Sequence, residues 1–545
     1  MNFNFNRYFN YINMNSNKHM RKALSIFGLL LVVLSLNSQT IEKNKVDNNE
    51  SYILTPEPTP KPKINGAKVF GVHPGNPVIF TIPATGIRPM IFSAENLPKG
   101  LKLDNSTGRF SGSIEAPGTY TVRVIAKNEL GSDERDFRIV VGEKLSLTPP
   151  MGWNSWNGWG DFVNDKNVRE TADAMVKTGL INHGWSNINI DIGWEGKRGG
   201  KYNAIQPNER FPDMKGLCDY IHSLGLRTGI YSTPWVRTYF GYTGGSSDNI
   251  EGITEDIKIG KEVSEGQYFG KYSFIENDVR QWEDWGIDYL KYDWTSSINQ
   301  PNTDNIKKMA AALRGCRRDI IFSLCNPLSI DDASEKLPFV QLWRTMTDIR
   351  DVWDRSSLKK DTWALGVSNI WDMHREWREF TKPGNWADPD MLVVGWVGFG
   401  DTILHKTLLT PDEQYTHISL WCLWSAPLLI GSPLEKLDKF TISLLSNDEV
   451  LEVNQDPLGR QAYLARKDGE GEVWVKKMED GSKAVGLFNR SSKELTVNAP
   501  WLQLGVYGKQ RVRDLWRQKD LGIFEKAFGT KVPPHGVVLV RMIPE

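Results

Sequence analysis

Beyond residue 65 the chain opens in short alternating runs. "NPVIFTI", "MIFSA", "GTYTVRVIAKN" and "RDFRIVV" put apolar residues at about every second position, with Gly, Pro and Asn between the runs. A period of two is what a half-buried strand shows, and the intervening turn signals predict a small immunoglobulin-like β-sandwich over residues 65–143. From about Leu147 the texture changes. Short apolar runs, "SNINID" (186–191), "LRTGIYS" (226–232), "IDYLKYD" (287–293) and "DIIFSLCN" (319–326), alternate with helical patterns such as "MKGLCDYIHSLG" (214–225), "DVRQWEDWG" (278–286) and "NIKKMAAALRGC" (305–316). Repeated β–α units over about 300 residues predict a parallel α/β fold. After "NQDPLGRQA" (454–462) the helical period stops. "GEVWVKKM", "KAVGLF", "ELTVN" and "GVVLVRM" then read as strands of a C-terminal antiparallel β-domain over 461–545.

The polar residues decide which α/β fold occupies 147–460. Asp191, Tyr231, Asp293 and Asn326 each end a different run, and Asp348 and Asp390 follow two more. Chemistry-bearing residues at the C-terminal ends of many strands indicate a (β/α)8 barrel, whereas a doubly wound sheet would gather them at one crevice. The expected fold is thus multidomain α/β: a (β/α)8 TIM barrel between an N-terminal Ig-like β-sandwich and a C-terminal β-domain.

The N-terminus reads as an address. Lys18, Arg21 and Lys22 precede the 14-residue apolar run Ala23–Leu36, followed by "NSQT". This is the pattern of a signal peptide (residues 1–38), and the run is short for a membrane span. The expectation is export to a periplasm or the exterior, with no membrane insertion after cleavage. Residues 39–64 read as a Pro-rich linker, marked by "TPEPTPKPKING" from Thr55 to Gly66.

Composition narrows the partners. Lys+Arg and Asp+Glu are both 66, so no charge excess favours nucleic acid or an anionic membrane. The chain lacks CxxC and HExxH and its His residues do not cluster, so no metal site or cofactor is expected. The dispersed cysteines, Cys218, Cys316, Cys325 and Cys422, lie in apolar surroundings, which favours buried thiols over disulfides. Of the 21 Trp, 18 fall between Trp153 and Trp424, which fits either a large core or aromatic platforms for sugar rings. No signal bears on oligomeric state.

Lys291 and Asp293, two apart, share one side of a strand and face the barrel mouth. Arg344 and Asp348 repeat the combination. By themselves these fit a structural ion pair. They also fit glycosidic chemistry, in which one carboxylate attacks the anomeric carbon and another protonates the leaving oxygen and then activates water.

"PPMGWNSWNGWG", "NIDIGW", "RFPDMKGL", "GLRTGIYS", "WGIDYLKYDW", "WRTMTDI", "NWADPDML", "SLWCLWSAPLLIG" and "NDEVLEVNQDPLG" appear in that order. Together they resemble the successive signatures of glycoside hydrolase family 27, the α-galactosidase family, across residues 147–545. The resemblance implies a retaining exo-glycosidase acting on an oligosaccharide or polysaccharide. Asp293 would be the nucleophile and Asp348 the general acid/base. Trp156 would lie under the sugar, Asp191 would accept from O4, and Lys291 would hold O3 and O4. Arg344 would sit on the O2/O3 side. Tyr231 would line the subsite and Asp390 its O2 or aglycone edge, or both would support the residues that do.

Two departures stand out. The family often has Cys-Glu-Trp after the fifth strand, where this chain has "SLCNPL" and so Asn326; the cysteines of the nucleophile loop are also missing from "YDWTSSINQ". α-Galactosidases usually carry Asp-Asp where this chain has Asp191–Ile192, the second carboxylate contacting the C6 side. β-L-Arabinopyranosidases are among the members with an apolar residue there. The resemblance therefore implies hydrolysis of terminal α-D-galactopyranosyl or β-L-arabinopyranosyl residues of plant-type glycans, with the arabinopyranosyl group preferred if Ile192 faces the sugar. If Ile192 faces a helix instead, an ordinary α-galactosidase acting on melibiose-type oligosaccharides or galactosylated polysaccharides is expected. A sugar-binding protein on an inactive barrel and a hydrolase of another sugar are the competing readings.

Overall fold

The computed structural model describes residues 49–254, 267–294, 303–358, 363–400 and 403–545. The signal-peptide reading lies outside them. Residues 1–51 form a unit of their own, of which only the start of the short helical turn Asn49–Tyr52 is described.

In the second unit, residues 52–545, eight short strands form one parallel sheet. They are β1 (Met151–Asn154), β2 (Asn187–Asn189), β3 (Arg227–Ser232), β4 (Tyr289–Asp293), β5 (Ile321–Cys325), β6 (Leu342–Arg344), β7 (Trp386–Asp388) and β8 (Leu428–Ile430). The spatial order is β7-β6-β5-β4-β3-β2-β1-β8. A parallel bridge between Leu392, just beyond β7, and Ile430 of β8 brings the two edges together, so the sheet curls into a barrel. Strands such as β5, "IFSLC", are buried throughout, as a parallel sheet covered on both faces requires.

The helices follow from capping and spacing. In α1 (Asp165–Lys177) the Asn164 side chain accepts from the N–H of Asn167, and Val168, Ala172 and Met175 turn inward. In α2 (Met214–Ser223) Asp213 caps Gly216 N, and Met214, Leu217, Cys218 and Ile221 form the buried stripe at three- and four-residue intervals. α3 (Pro411–Leu423) opens with a reciprocal Thr410–Glu413 capping box and is buried from Glu413 to Leu423. That fits a helix covered on all sides.

The tryptophan concentration is mostly core. Trp153, Trp185, Trp194, Trp282, Trp343, Trp371, Trp386, Trp421 and Trp424 are fully buried, whereas Trp156, just beyond β1, is half-buried. All four cysteines are buried thiols outside any disulfide.

The N-terminal sandwich pairs a four-stranded sheet with a three-stranded one around Val72, Phe92, Val122, Val124, Phe137 and Ile139. It docks on the foot of the barrel, where the strands begin. Asp319, just before β5, accepts from His73 N at 3.0 Å and Asn76 Nδ2 at 2.7 Å and pairs with His73 Nδ1 at 2.7 Å. Thr81 donates to Gly225 O, just before β3, at 2.9 Å. The segment leading into the sandwich is laid down on the molecule. Leu54 N donates to Tyr415 Oη at 3.0 Å, Thr55 Oγ1 donates to Ser443 O at 2.9 Å, and Asn128 Nδ2 donates to Pro60 O at 2.9 Å. A cleft between sandwich and barrel, lined by Phe70, Leu147, Asn187 and Arg227, therefore lies at the end opposite the strand tips. The C-terminal domain packs a six-stranded antiparallel sheet against the pair Leu495–Pro500 and Ala527–Val532.

Candidate active site

The strand tips converge as a (β/α)8 fold demands. Register pairs Tyr231 of β3 with Lys291 of β4, and Asp293 of β4 with Cys325 of β5. Lys291 Nζ lies 2.7 Å from Asp191 Oδ2, so this lysine pairs with the carboxylate beyond β2 and not with its own-strand neighbour Asp293. Burial alone would push Lys291 down. The nearby carboxylates, Asp191 first, more than reverse this and hold the ammonium charged.

Asp293 is buried, and the Tyr231 hydroxyl donates to its Oδ2. Burial raises its pKa, and the charge of Lys291 and the hydrogen bonds from Tyr231 and Cys325 pull it back toward the ionised form without cancelling the rise. Tyr231, buried and facing an anion, stays protonated far above the usual tyrosine range. It acts on the site through Asp293.

The second cluster forms beyond β6 and β7. Arg344 donates to Asp348 Oδ1 at 3.1 Å and lies 2.9 Å from Asp390 Oδ2. Desolvation opposes that charge, and the carboxylates of Asp390 and Asp348 outweigh it. Asp390 also accepts from Ile349 N at 2.9 Å and Met391 N at 2.8 Å, at φ +88°. Buried in this way, Asp390 clamps Arg344 and the backbone leading from Asp348. Asp348 itself keeps 34% of its side chain exposed, unlike Asp293, and so can exchange protons with solvent. Asn326, at φ +69°, donates to Tyr239 Oη at 3.4 Å.

Ile192 is 3% exposed. Strand alternation would point it away from Asp191, but β2 ends at Asn189, and the N–H of Ile192 donates back to Asp191 Oδ1 at 2.9 Å. The chain then turns at Gly193, φ +116°, where an added Cβ would meet the Asp161 carbonyl. Ile188, Ile190 and Trp194 join the connected apolar core, but Ile192 belongs to none of the apolar clusters of the described residues. Among these residues no group of three or more His, Cys, Asp or Glu could hold a metal ion, and no helix is long and apolar enough to cross a membrane.

The family pattern described as Alpha galactosidase A matches residues 148–256 and 250–456, more than half of the chain. The chain belongs to the α-galactosidase family of glycoside hydrolases. The pattern of the α-galactosidase C-terminal β-sandwich domain matches 468–542, and an Ig-domain pattern matches 61–142. Alpha-galactosidase 2 of Arabidopsis thaliana is 36% identical over 408 residues, covering 74% of this chain and 91% of its own length. The crystal structure of a candidate alpha-galactosidase from Bacteroides fragilis superposes with a TM-score of 0.78 at 34% identity, covering 88% of this chain and 97% of that one. A GH27 β-L-arabinopyranosidase from Geobacillus stearothermophilus gives 0.62 at 28% identity, covering 73% and 97%.

In this family member three supporting groups escaped the sequence reading. Glu195 Oε2 accepts from Gly193 N at 2.8 Å, and burial pushes its carboxyl up to about 8. Arg210 donates to Gly193 O, Asp161 O and Tyr242 Oη, tying the turn after β2 to the loop after β3. Tyr239 reaches Asn326 from that loop. The only available signals were "GWEG", the Arg of "RFPDMKGL" and the aromatic run "WVRTYFGY" directly after a strand end.

Proposed function

We propose that the protein is an exported retaining exo-glycosidase that removes terminal galacto-configured sugars and prefers β-L-arabinopyranosyl over α-D-galactopyranosyl groups. Asp293 attacks C1 to form a glycosyl–enzyme ester while Asp348 protonates the departing oxygen. Asp348 then takes a proton from water, which attacks C1 and releases Asp293. The Tyr231 hydroxyl orients the nucleophile, and the Asp191–Lys291 pair presents an acceptor and donors to the hydroxyls at C3 and C4. Trp156 supplies the apolar face under the ring, and Arg344 and Asn326 serve the O2 side.

Cleavage of α-galactosides is supported by relatives that carry that name, and the arabinopyranoside preference by one observation above all. Ile192, buried beside the Asp191–Lys291 pair but outside the apolar core, cannot accept a hydrogen bond from the C6 hydroxyl. Arabinopyranose has no C6. Measurement of kcat/KM on the nitrophenyl α-D-galactoside and β-L-arabinopyranoside tests the preference, and a strong bias toward the galactoside returns the enzyme to an ordinary α-galactosidase. Product analysis by NMR tests the mechanism, since an inverted first-formed anomer removes the nucleophile role of Asp293.

A further inference from the structure

The loop after β3 holds a tight hairpin. Arg237 and Thr243 bridge across it, Thr238 N donates to Tyr242 O at 2.9 Å, and Gly241 N donates to Thr238 O at 3.0 Å. Arg237 also donates to Gly241 O at 2.8 Å, and Tyr242 Oη donates to Asp161 Oδ2 at 3.0 Å. At the tip of this braced turn stand two aromatic residues with opposite fates. Tyr239 turns inward, edge-on to Trp235 with centroids 4.9 Å apart and its hydroxyl at Asn326. Burial, then the Asp293 carboxylate, with Asp348 contributing, hold its hydroxyl protonated, which places the ring within electrostatic reach of both carboxylates. Phe240 turns outward. Its ring lies 5.3 Å from that of Trp156, yet the residue is 50% exposed.

A phenyl ring fixed in water at the rim of a polar site, on a turn braced from several sides, exposes apolar surface that burial inside the turn would have removed. We propose that Phe240 is the stacking platform of a subsite for the leaving group, and that the group it fits is a pyranose ring. Preferred substrates are then oligosaccharides whose next residue is a sugar. The proposal rests on the glycosidase reading of Asp293 and Asp348. The leaving group must depart on the side of Asp348, the more solvent-exposed carboxylate, and the turn tip reaches the rim of the site, with Tyr239 accepting from Asn326, next to the register partner of Asp293, and the Phe240 ring 5.3 Å from that of Trp156. An aromatic face takes the C–H face of a pyranose, while the ring's hydroxyls stay in water.

The test compares two substrates with one glycon and different leaving groups, melibiose and α-D-galactosyl fluoride. Phe240→Ala is expected to lower kcat/KM on melibiose about tenfold, mainly through KM, and to lower the melibiose-to-fluoride ratio at least about fivefold. Phe240→Trp should restore that ratio. Equal losses on both substrates would mean that Phe240 only props Trp156 under the first sugar, and an unchanged ratio would mean that it stacks on nothing; either overturns the subsite. A wild-type protein inert to the fluoride, to melibiose and to nitrophenyl β-L-arabinopyranoside would instead overturn the glycosidase reading beneath it.

Discussion

Replacing Ile192 by Asp tests the sugar preference at the atom that distinguishes the two sugars. α-D-Galactopyranose and β-L-arabinopyranose match from C1 to C4 and differ by the hydroxymethyl group on C5. Against Ile192 that group loses its hydrogen-bond partner, a penalty of about 1–3 kcal/mol for a buried hydroxyl. The bare methylene of arabinose instead gains apolar contact of about 0.8 kcal/mol. The lost hydrogen bond alone predicts a bias of about tenfold to a hundredfold, and the methylene contact adds about fourfold. A pocket that is merely apolar does not reject an added hydroxyl more strongly, so galactosides should still be cleaved. Asp at 192 would reverse the ratio of the two kcat/KM values by at least about tenfold. It also sets a second carboxylate beside Asp191, whose existing cation, Lys291, is 2.7 Å away. A stability loss of about 1–3 kcal/mol is therefore expected from the substitution. Ile192→Asn supplies an acceptor without the charge and should move the ratio the same way with less destabilisation. The assay is kcat/KM for both nitrophenyl glycosides, with thermal unfolding as the control for folding. A ratio that stays within about threefold in both folded variants would refute position 192 as the C5 selector.

The catalytic pair and the domain junction give two more. Asp293→Ala and Asp348→Ala should each lose turnover by orders of magnitude while remaining folded; azide should yield different glycosyl azide products, because only the first variant opens space beneath C1. Full activity in either would end its assignment. At the barrel foot the hydrogen bond to Asp319 raises His73 above its unfolded pKa of 6.5, so this pair stabilises the fold fully below that pH and loses its contribution as pH rises through the folded pKa. His73→Gln should thus cost about 1 kcal/mol in unfolding experiments at pH 6 and less at pH 9, with kcat/KM unaltered; an equal cost at both would mean that the imidazolium contributes nothing.

What the sequence discloses follows from the range of each cause. Strand tips are legible because a (β/α)8 barrel ties chemistry to the residues that end apolar runs, and Asp191, Asp293 and Asn326 stand at those ends. The pairing of charges was not legible. Lys291 and Asp293 share a strand face, yet the short contact is between Lys291 and Asp191, 100 residues apart, because the curl of the sheet brings the tips of β2 and β4, on either side of β3, together across the barrel mouth. Asp390 carries the same lesson. Its motif marks it as important, but only the fold shows that its oxygens hold Arg344 and the backbone N–H groups of Ile349 and Met391. Ile192 shows where periodicity stops being informative. Alternation predicts its direction only while the strand continues, and β2 ends two residues before Asp191. Beyond that point the backbone is held by Glu195, which accepts from Gly193 N–H, and by Arg210, which donates to Gly193 C=O. Both are isolated charged residues that no local pattern distinguishes from solvated ones. The geometry of this site is therefore fixed in the turns after the strands, where nearest-neighbour rules lapse and long-range hydrogen bonds take over.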